Sequence, residues 1–153
     1  MSGLDGLYQE LILDHSKHPH GTPMAEAEGR TATSHQRNPI CGDEIELRVR
    51  LHDDGTVRDV TFTGAGCSIS QASASMLASL VDDIIDEEGP LTADAVRERI
   101  DRFRTALRSR GTVALDEETF GDAAALSGVS KFTARVKCAM LAWVALEDTL
   151  ARA

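Results

Sequence analysis

The sequence predicts an α+β fold in which a small antiparallel sheet packs against helices. Three observations carry that expectation. The segment Glu44–Leu51 alternates strictly between charged and apolar residues, the period-two pattern of a half-buried strand. Asp53-Asp54-Gly55 follows it as a hairpin turn signal. Beyond Gly66 the apolar residues switch to helical spacing, and strands followed by a run of helices is an α+β order.

The elements follow in turn. Leu4, Leu7, Tyr8, Leu11 and Ile12 recur at helical spacing, so a helix is expected from about Leu4 to Ser16, broken by Pro19 and Gly21. The histidines at positions 15, 18 and 20 read as an exposed turn, since nothing fixes the three rings in convergent geometry. Thr22–Asn38 is polar and reads as a loop with a short edge strand near Arg30–Ser34. Ile45, Leu47, Val49 and Leu51 form the inner face of the main strand. Val57–Thr63 returns beside it, with Val57 out of phase, which calls for a bulge or a strand start.

A long helix then runs to about Glu87 with Ile69, Ala72, Met76, Leu80 and Ile84 on its buried stripe. Thr92 is the expected N-cap of the next helix, whose apolar face is Val96, Ile100, Phe103 and Leu107. Ser109–Gly128 is an acidic, glycine-punctuated connection with a short helix expected around Asp122–Leu126. The last helix is expected from Ser130 to about Leu150, with Phe132, Val136, Met140, Trp143 and Leu150 inward.

The 153 residues are read as a single domain spanning 1–153, long enough to bury a core without a staple. Acidic residues outnumber basic ones by 25 to 16 and only six residues are aromatic. That composition lacks the basic footprint and stacking surface of a nucleic-acid binder. The charge likewise argues against an anionic membrane surface and favours a partner with a basic patch. No stretch approaches the ~18 uncharged apolar residues of a membrane span, and the first ten residues lack the pattern of a signal peptide. The expected location is cytoplasmic. Three cysteines cannot all pair within one chain, so in a reducing compartment they are thiols, metal ligands or redox centres.

Those thiols carry the chemistry. Cys41-Gly42-Asp43 precedes the main strand, Cys67 lies between a strand and a helix, and Cys138 sits near the start of the last helix. No two cysteines have CxxC spacing, and by spacing alone three unrelated core cysteines are the simpler reading. Local context points the other way. Gly42 lets Cys41 and Asp43 turn the same way, placing a thiolate beside a carboxylate. Cys67, at or near a helix N-cap, has its thiolate favoured by free N–H groups and the helix dipole. Arg135 and Lys137 put cations beside Cys138. Three thiolates and a carboxylate complete a tetrahedral zinc site, and soft sulfur donors leave zinc or iron–sulfur as the candidates. Gly64-Ala-Gly66 is not a dinucleotide loop, because Ile69 stands where the third glycine belongs.

Asn38-Pro-Ile-Cys-Gly-Asp43, Gly64-Ala-Gly-Cys-Ser-Ile-Ser70 and Val129-Ser-Lys-Phe-Thr-Ala-Arg-Val-Lys-Cys-Ala-Met-Leu-Ala-Trp143 resemble the signature segments of the NifU/IscU-like iron–sulfur assembly proteins. The likeness is strongest to the SufU branch and covers nearly the whole chain. Two features carry that finer likeness. IscU proteins have a histidine before the third cysteine, where this chain has Lys137. SufU-type chains have an insertion before the last helix, which Ser109–Gly128 resembles.

The resemblance implies a NifU/IscU-like fold and a surface zinc held by Cys41, Asp43, Cys67 and Cys138. It implies a zinc-dependent sulfur acceptor of the SUF system, acting as a sulfurtransferase. The sulfur would come from a SufS-type cysteine desulfurase, which owns the pyridoxal phosphate, and go to downstream SUF assembly proteins. Cys41 is the expected acceptor, with Arg135 and then Lys137 as outer groups that orient or offset the ligands. Two alternatives stand beside this reading: an IscU-like scaffold that assembles a [2Fe–2S] cluster on the same cysteines, and a protein whose zinc is purely structural.

Overall fold

The computed structural model describes residues 3–39 and 42–153, with the side chains of residues 3–5 and 7 also outside the description. Its centre is set by strand alternation. In β2 (Asp43–Leu51) every odd-numbered residue is buried and no even-numbered one is. β2 pairs antiparallel with β1 (Arg30–Asn38) on one side and β3 (Val57–Ala65) on the other, a three-stranded meander in chain order. Arg50 pairs with Asp59 but Leu51 pairs with Val57, so Arg58 is the extra residue of a bulge. That is the phase break read from Val57.

β1 is longer than the edge strand expected near Arg30–Ser34. Its buried residues are Ala32, Ser34 and Asn38, one apolar and two polar, so pairing with β2 rather than burial of apolar surface makes it a strand.

Helices cover one face of the sheet. α2 (Ser68–Glu88) and α5 (Thr133–Arg152) pack on each other, α5 against β1 and β2 and α2 against β3. α1 (Gly3–Lys17) lies on α2, and α3 (Ala93–Leu107) on α5. Thr92 caps α3, its hydroxyl accepting from the Ala95 N–H at 3.1 Å. Arg104 of α3 forks onto Glu147 of α5 at 2.7 and 3.2 Å. In the core, Phe103 stacks on Trp143 with ring centroids 3.8 Å apart and planes 5° from parallel. Trp143 Nε1 donates to Ser73 Oγ at 3.0 Å, and Ser73 donates onward to the Ala139 carbonyl at 2.6 Å. This chain of bonds fastens α2 to α5.

Three local expectations are corrected. The helix foreseen at Asp122–Leu126 is present but is of 3-10 type and longer, Gly121–Lys131, and a short helix not foreseen, α4 (Glu117–Phe120), capped by Asp116, precedes it. Ala123 to Leu126 are all buried there, so no periodic face marks it. Phe132, foreseen inward, is 64% exposed. It is the N-cap of α5, with φ −117° and ψ 88°, so the helical stripe cannot be carried back to it. His15 is buried within α1 rather than exposed in the turn. Its Nδ1 lies 2.6 Å from Ser75 Oγ and its Nε2 2.8 Å from Asp122 Oδ2, which ties α1 to α2 and to the 3-10 segment. No helix among the described residues is long and apolar enough to cross a membrane.

Candidate metal centre

Asp43 opens β2, Cys67 caps α2, and Cys138 lies in the second turn of α5. One donor atom from each falls within 4.8 Å of the other two. Donors around a tetrahedral zinc stand roughly 3.5–3.8 Å apart, given Zn–S bonds near 2.3 Å and Zn–O bonds near 2.1 Å. The three groups therefore fit such an ion with an inward adjustment of about 1 Å. Two sulfurs and one oxygen suit zinc or iron and do not suit magnesium or calcium. Cys41, the fourth expected ligand and the expected sulfur acceptor, lies outside the described residues.

The Asp43 carboxylate is wholly buried, a position that demands compensation. The Cys67 N–H donates to Oδ1 at 2.9 Å, while Oδ2 stands 3.9 Å from Cys67 Sγ. One oxygen is thus committed to the backbone and the other is left facing the thiols. The N-terminus of α2 also directs the positive end of its dipole at this cluster. Ser70 Oγ donates to the Cys67 carbonyl at 3.0 Å and lies 3.9 Å from its sulfur. Cys138 is completely buried, with Asn38 Nδ2 at 4.0 Å from its sulfur.

Gly66 makes this approach possible. A Cβ there would collide with Asp43 Oδ1 and stand 2.6 Å from Ser70 Oγ. The reason for a glycine here is space for the carboxylate. Gly66→Ala is expected to turn Asp43 out of position and weaken zinc binding by about 10–100-fold, with helix content unchanged. Chelator competition beside circular dichroism measures both.

Arg135 and Lys137 are exposed, and neither side chain hydrogen-bonds to Asp43, Cys67 or Cys138. Asn38 and Ser70 are the polar neighbours that sequence reasoning missed. Asn38 carried a signal in preceding Pro39 at the end of a polar stretch, and Ser70 in standing three residues after an N-cap.

Cys67 opens onto a cleft of about 970 Å³ between α1, the N-terminus of α2 and the connection before α5. Tyr8 lines it and donates to Glu117 Oε1 at 3.2 Å. Burial pushes the Tyr8 phenol above its ordinary range, and the Glu117 carboxylate pushes the same way.

Comparison with known proteins places this arrangement. The NifU-like N terminal domain family matches residues 7–139. The zinc-dependent sulfurtransferase SufU of Bacillus subtilis is 38% identical over 151 residues, covering 99% of this chain and 94% of that protein. The iron–sulfur cluster assembly scaffold protein IscU of Streptococcus pyogenes is 36% identical over 152 residues, covering 99% and 87%. A crystal structure assigned as an iron–sulfur cluster assembly scaffold for the SUF system, from Fervidobacterium islandicum, superposes with a TM-score of 0.67 at 29% identity. It covers 97% of this chain and 99% of that one. With a family match over most of its length and relatives this similar across nearly all of it, the chain belongs to the NifU-like N-terminal domain family of iron–sulfur cluster assembly proteins.

Proposed function

We propose that this protein is a zinc-dependent sulfur acceptor of SUF-type iron–sulfur cluster assembly, taking persulfide sulfur from a SufS-type cysteine desulfurase. The observation that carries the reading is the meeting of Asp43, Cys67 and Cys138 within 4.8 Å, with Cys41 two positions from Asp43 in the chain. The similarity to a relative named as a zinc-dependent sulfurtransferase supports it.

Bound zinc would supply the charge that keeps its cysteine ligands deprotonated at neutral pH. Asp43, Cys67 and Cys138 hold the site: two of them are fully buried and Asp43 is pinned by a backbone N–H. Cys41 acts as the nucleophile. Its thiolate attacks the terminal sulfur of the partner's persulfide, and the partner's S–S bond breaks as a new one forms on Cys41. The desulfurase cysteine departs as thiolate. Arg135, on the wall of the cleft, is placed to meet negative charge on the incoming group. The protein then delivers sulfur to later assembly steps.

The test is alanine release by the cognate desulfurase, with and without this protein. Wild type is expected to accelerate it and Cys41→Ala to abolish the acceleration. Acceleration that survives in Cys41→Ala removes the acceptor role and leaves a structural zinc.

The similarity to a relative named as a scaffold favours a second reading, assembly of a [2Fe–2S] cluster on the same cysteines. Lys137 occupies the position where IscU-like scaffolds carry histidine, and its side chain is exposed. Protein purified without reconstitution is expected to be colourless with one zinc per chain. Brown, iron-containing protein would establish the scaffold instead.

A further inference from the structure

We propose that the cleft beside Cys67 is the seat of an apolar, carboxylate-bearing segment of the sulfur-donating protein. The proposal rests on the sulfur-acceptor reading above and adds which surface receives the donor and what chemistry it selects.

Apolar surface at the mouth of the cleft is one observation. Three large hydrophobic side chains stand exposed among the described residues, and two of them, Phe132 and Val113, line this cleft. Ile12 and Val129 continue the apolar wall. Exposed apolar surface concentrated at one concave site marks an interaction surface, and a protruding aromatic beside an arginine is the composition of a binding hot spot.

Charge is a second, independent observation. Among the lining residues Lys131 and Arg135 are ionic and none is acidic, in a chain with 25 acidic and 16 basic residues. Two acids touch lining residues from behind, and both are engaged: Glu117 accepts from the Tyr8 hydroxyl, and the buried Asp43 accepts from the Cys67 N–H. Lys131 is held in place: its methylene chain lies over Gly111, where a Cβ would come within 3.0 Å of Cε. Gly111 has φ +87°, so the turn that carries it is built for that close approach. The overall charge favours a basic partner surface, but the sign reverses at the cleft. The lining favours an entering group with negative charge, which in a segment of protein is a carboxylate.

Position is the third. Cys67 lines the cleft and also belongs to the metal-binding cluster. A segment lying in the cleft therefore ends beside the sulfurs. The volume of about 970 Å³ exceeds what a single side chain needs and suits several residues of extended chain.

The experiment uses full-length zinc-loaded protein and the cysteine desulfurase of the same organism. Affinity is measured by calorimetry at low and high salt, and zinc content is checked in every sample. Phe132→Ser is expected to weaken binding about tenfold or more without loss of zinc. Lys131→Glu is expected to weaken it at low salt, with the deficit shrinking at high salt. Hydrogen exchange on the complex is expected to show new protection at 111–114 and 131–135.

Wild-type affinity in both variants, with wild type still stimulating the desulfurase, overturns the cleft and leaves the acceptor role standing. Tighter binding by Lys131→Glu overturns the carboxylate. A Phe132→Ser effect confined to self-association of the chain overturns the donor as occupant, and a wild type that neither binds nor stimulates the desulfurase overturns both readings.

Discussion

Cys138→Ala protein is expected to lose more than ~100-fold in zinc affinity, beyond the 10–100-fold cost of removing an outer hydrogen-bond partner. Chelator competition measures it. The reasons are burial and geometry. The Cys138 side chain is fully enclosed and its sulfur faces the Asp43 carboxylate and the Cys67 thiol, so no water-borne donor can take its place without opening α5 from the sheet. The same loss appears in stability. A ligand present at a hundred times its dissociation constant adds about 2.7 kcal/mol, or roughly 5–10 °C in Tm for a chain this long. Added zinc should raise Tm by that amount in wild type and leave it unmoved in Cys138→Ala. Equal zinc-dependent shifts in both proteins would mean that the metal binds elsewhere.

Trp143→Ala is expected to cost about 3–5 kcal/mol, the largest effect of any single core truncation here. Trp143 is completely buried, stacks on Phe103 and meets Phe120 at a tilt with centroids 6.3 Å apart. Stacking contributes a further amount of about 0.5–1.5 kcal/mol beyond area. Truncation also strips Ser73 of its indole donor. Thermal unfolding should shift down by roughly 10 °C or more. Trp143→Phe keeps a stacked ring and isolates the hydrogen bond, worth about 1 kcal/mol. Because Ser73 and Ala139 join the helices that carry Cys67 and Cys138, zinc affinity should fall in Trp143→Ala and hold in Trp143→Phe.

Legibility in the sequence followed physical periodicity. β2 was readable because its two faces meet different solvents, and α3 because Thr92 and four apolar residues mark its cap and stripe. β1 was readable only near Arg30–Ser34 and not to its end at Asn38, since a strand held by backbone pairing can be polar along most of its length. The 3-10 segment was readable only around Asp122–Leu126, because Ala123, Ala124 and Ala125 are small enough to be buried on every side and leave no periodic face. Phe132 misled because helical spacing continues in sequence past the point where the helix stops.

At the candidate site, Asp43, Cys67 and Cys138, which the structure brings together, stand out in the sequence by residue type and local context. Asn38, Ser70 and the spatial reason for Gly66 depend on contacts between distant segments, and no window of sequence contains those. His15 belongs with them: its partners Ser75 and Asp122 are 60 and 107 positions away.

The placement of Asp43 at the first position of β2 links ion retention to hairpin alignment. Asp43 shares its side of the strand with Ile45, Leu47, Val49 and Leu51, opposite Asn38 in the pairing. A slip by one residue would swing all five outward together and present Glu44, whose longer arm sits on the other side. A misaligned chain thus forfeits its apolar seal and its oxygen donor in one error. With zinc bound as proposed, a chain in register would hold the ion more tightly than a slipped one, so zinc affinity would report on hairpin alignment.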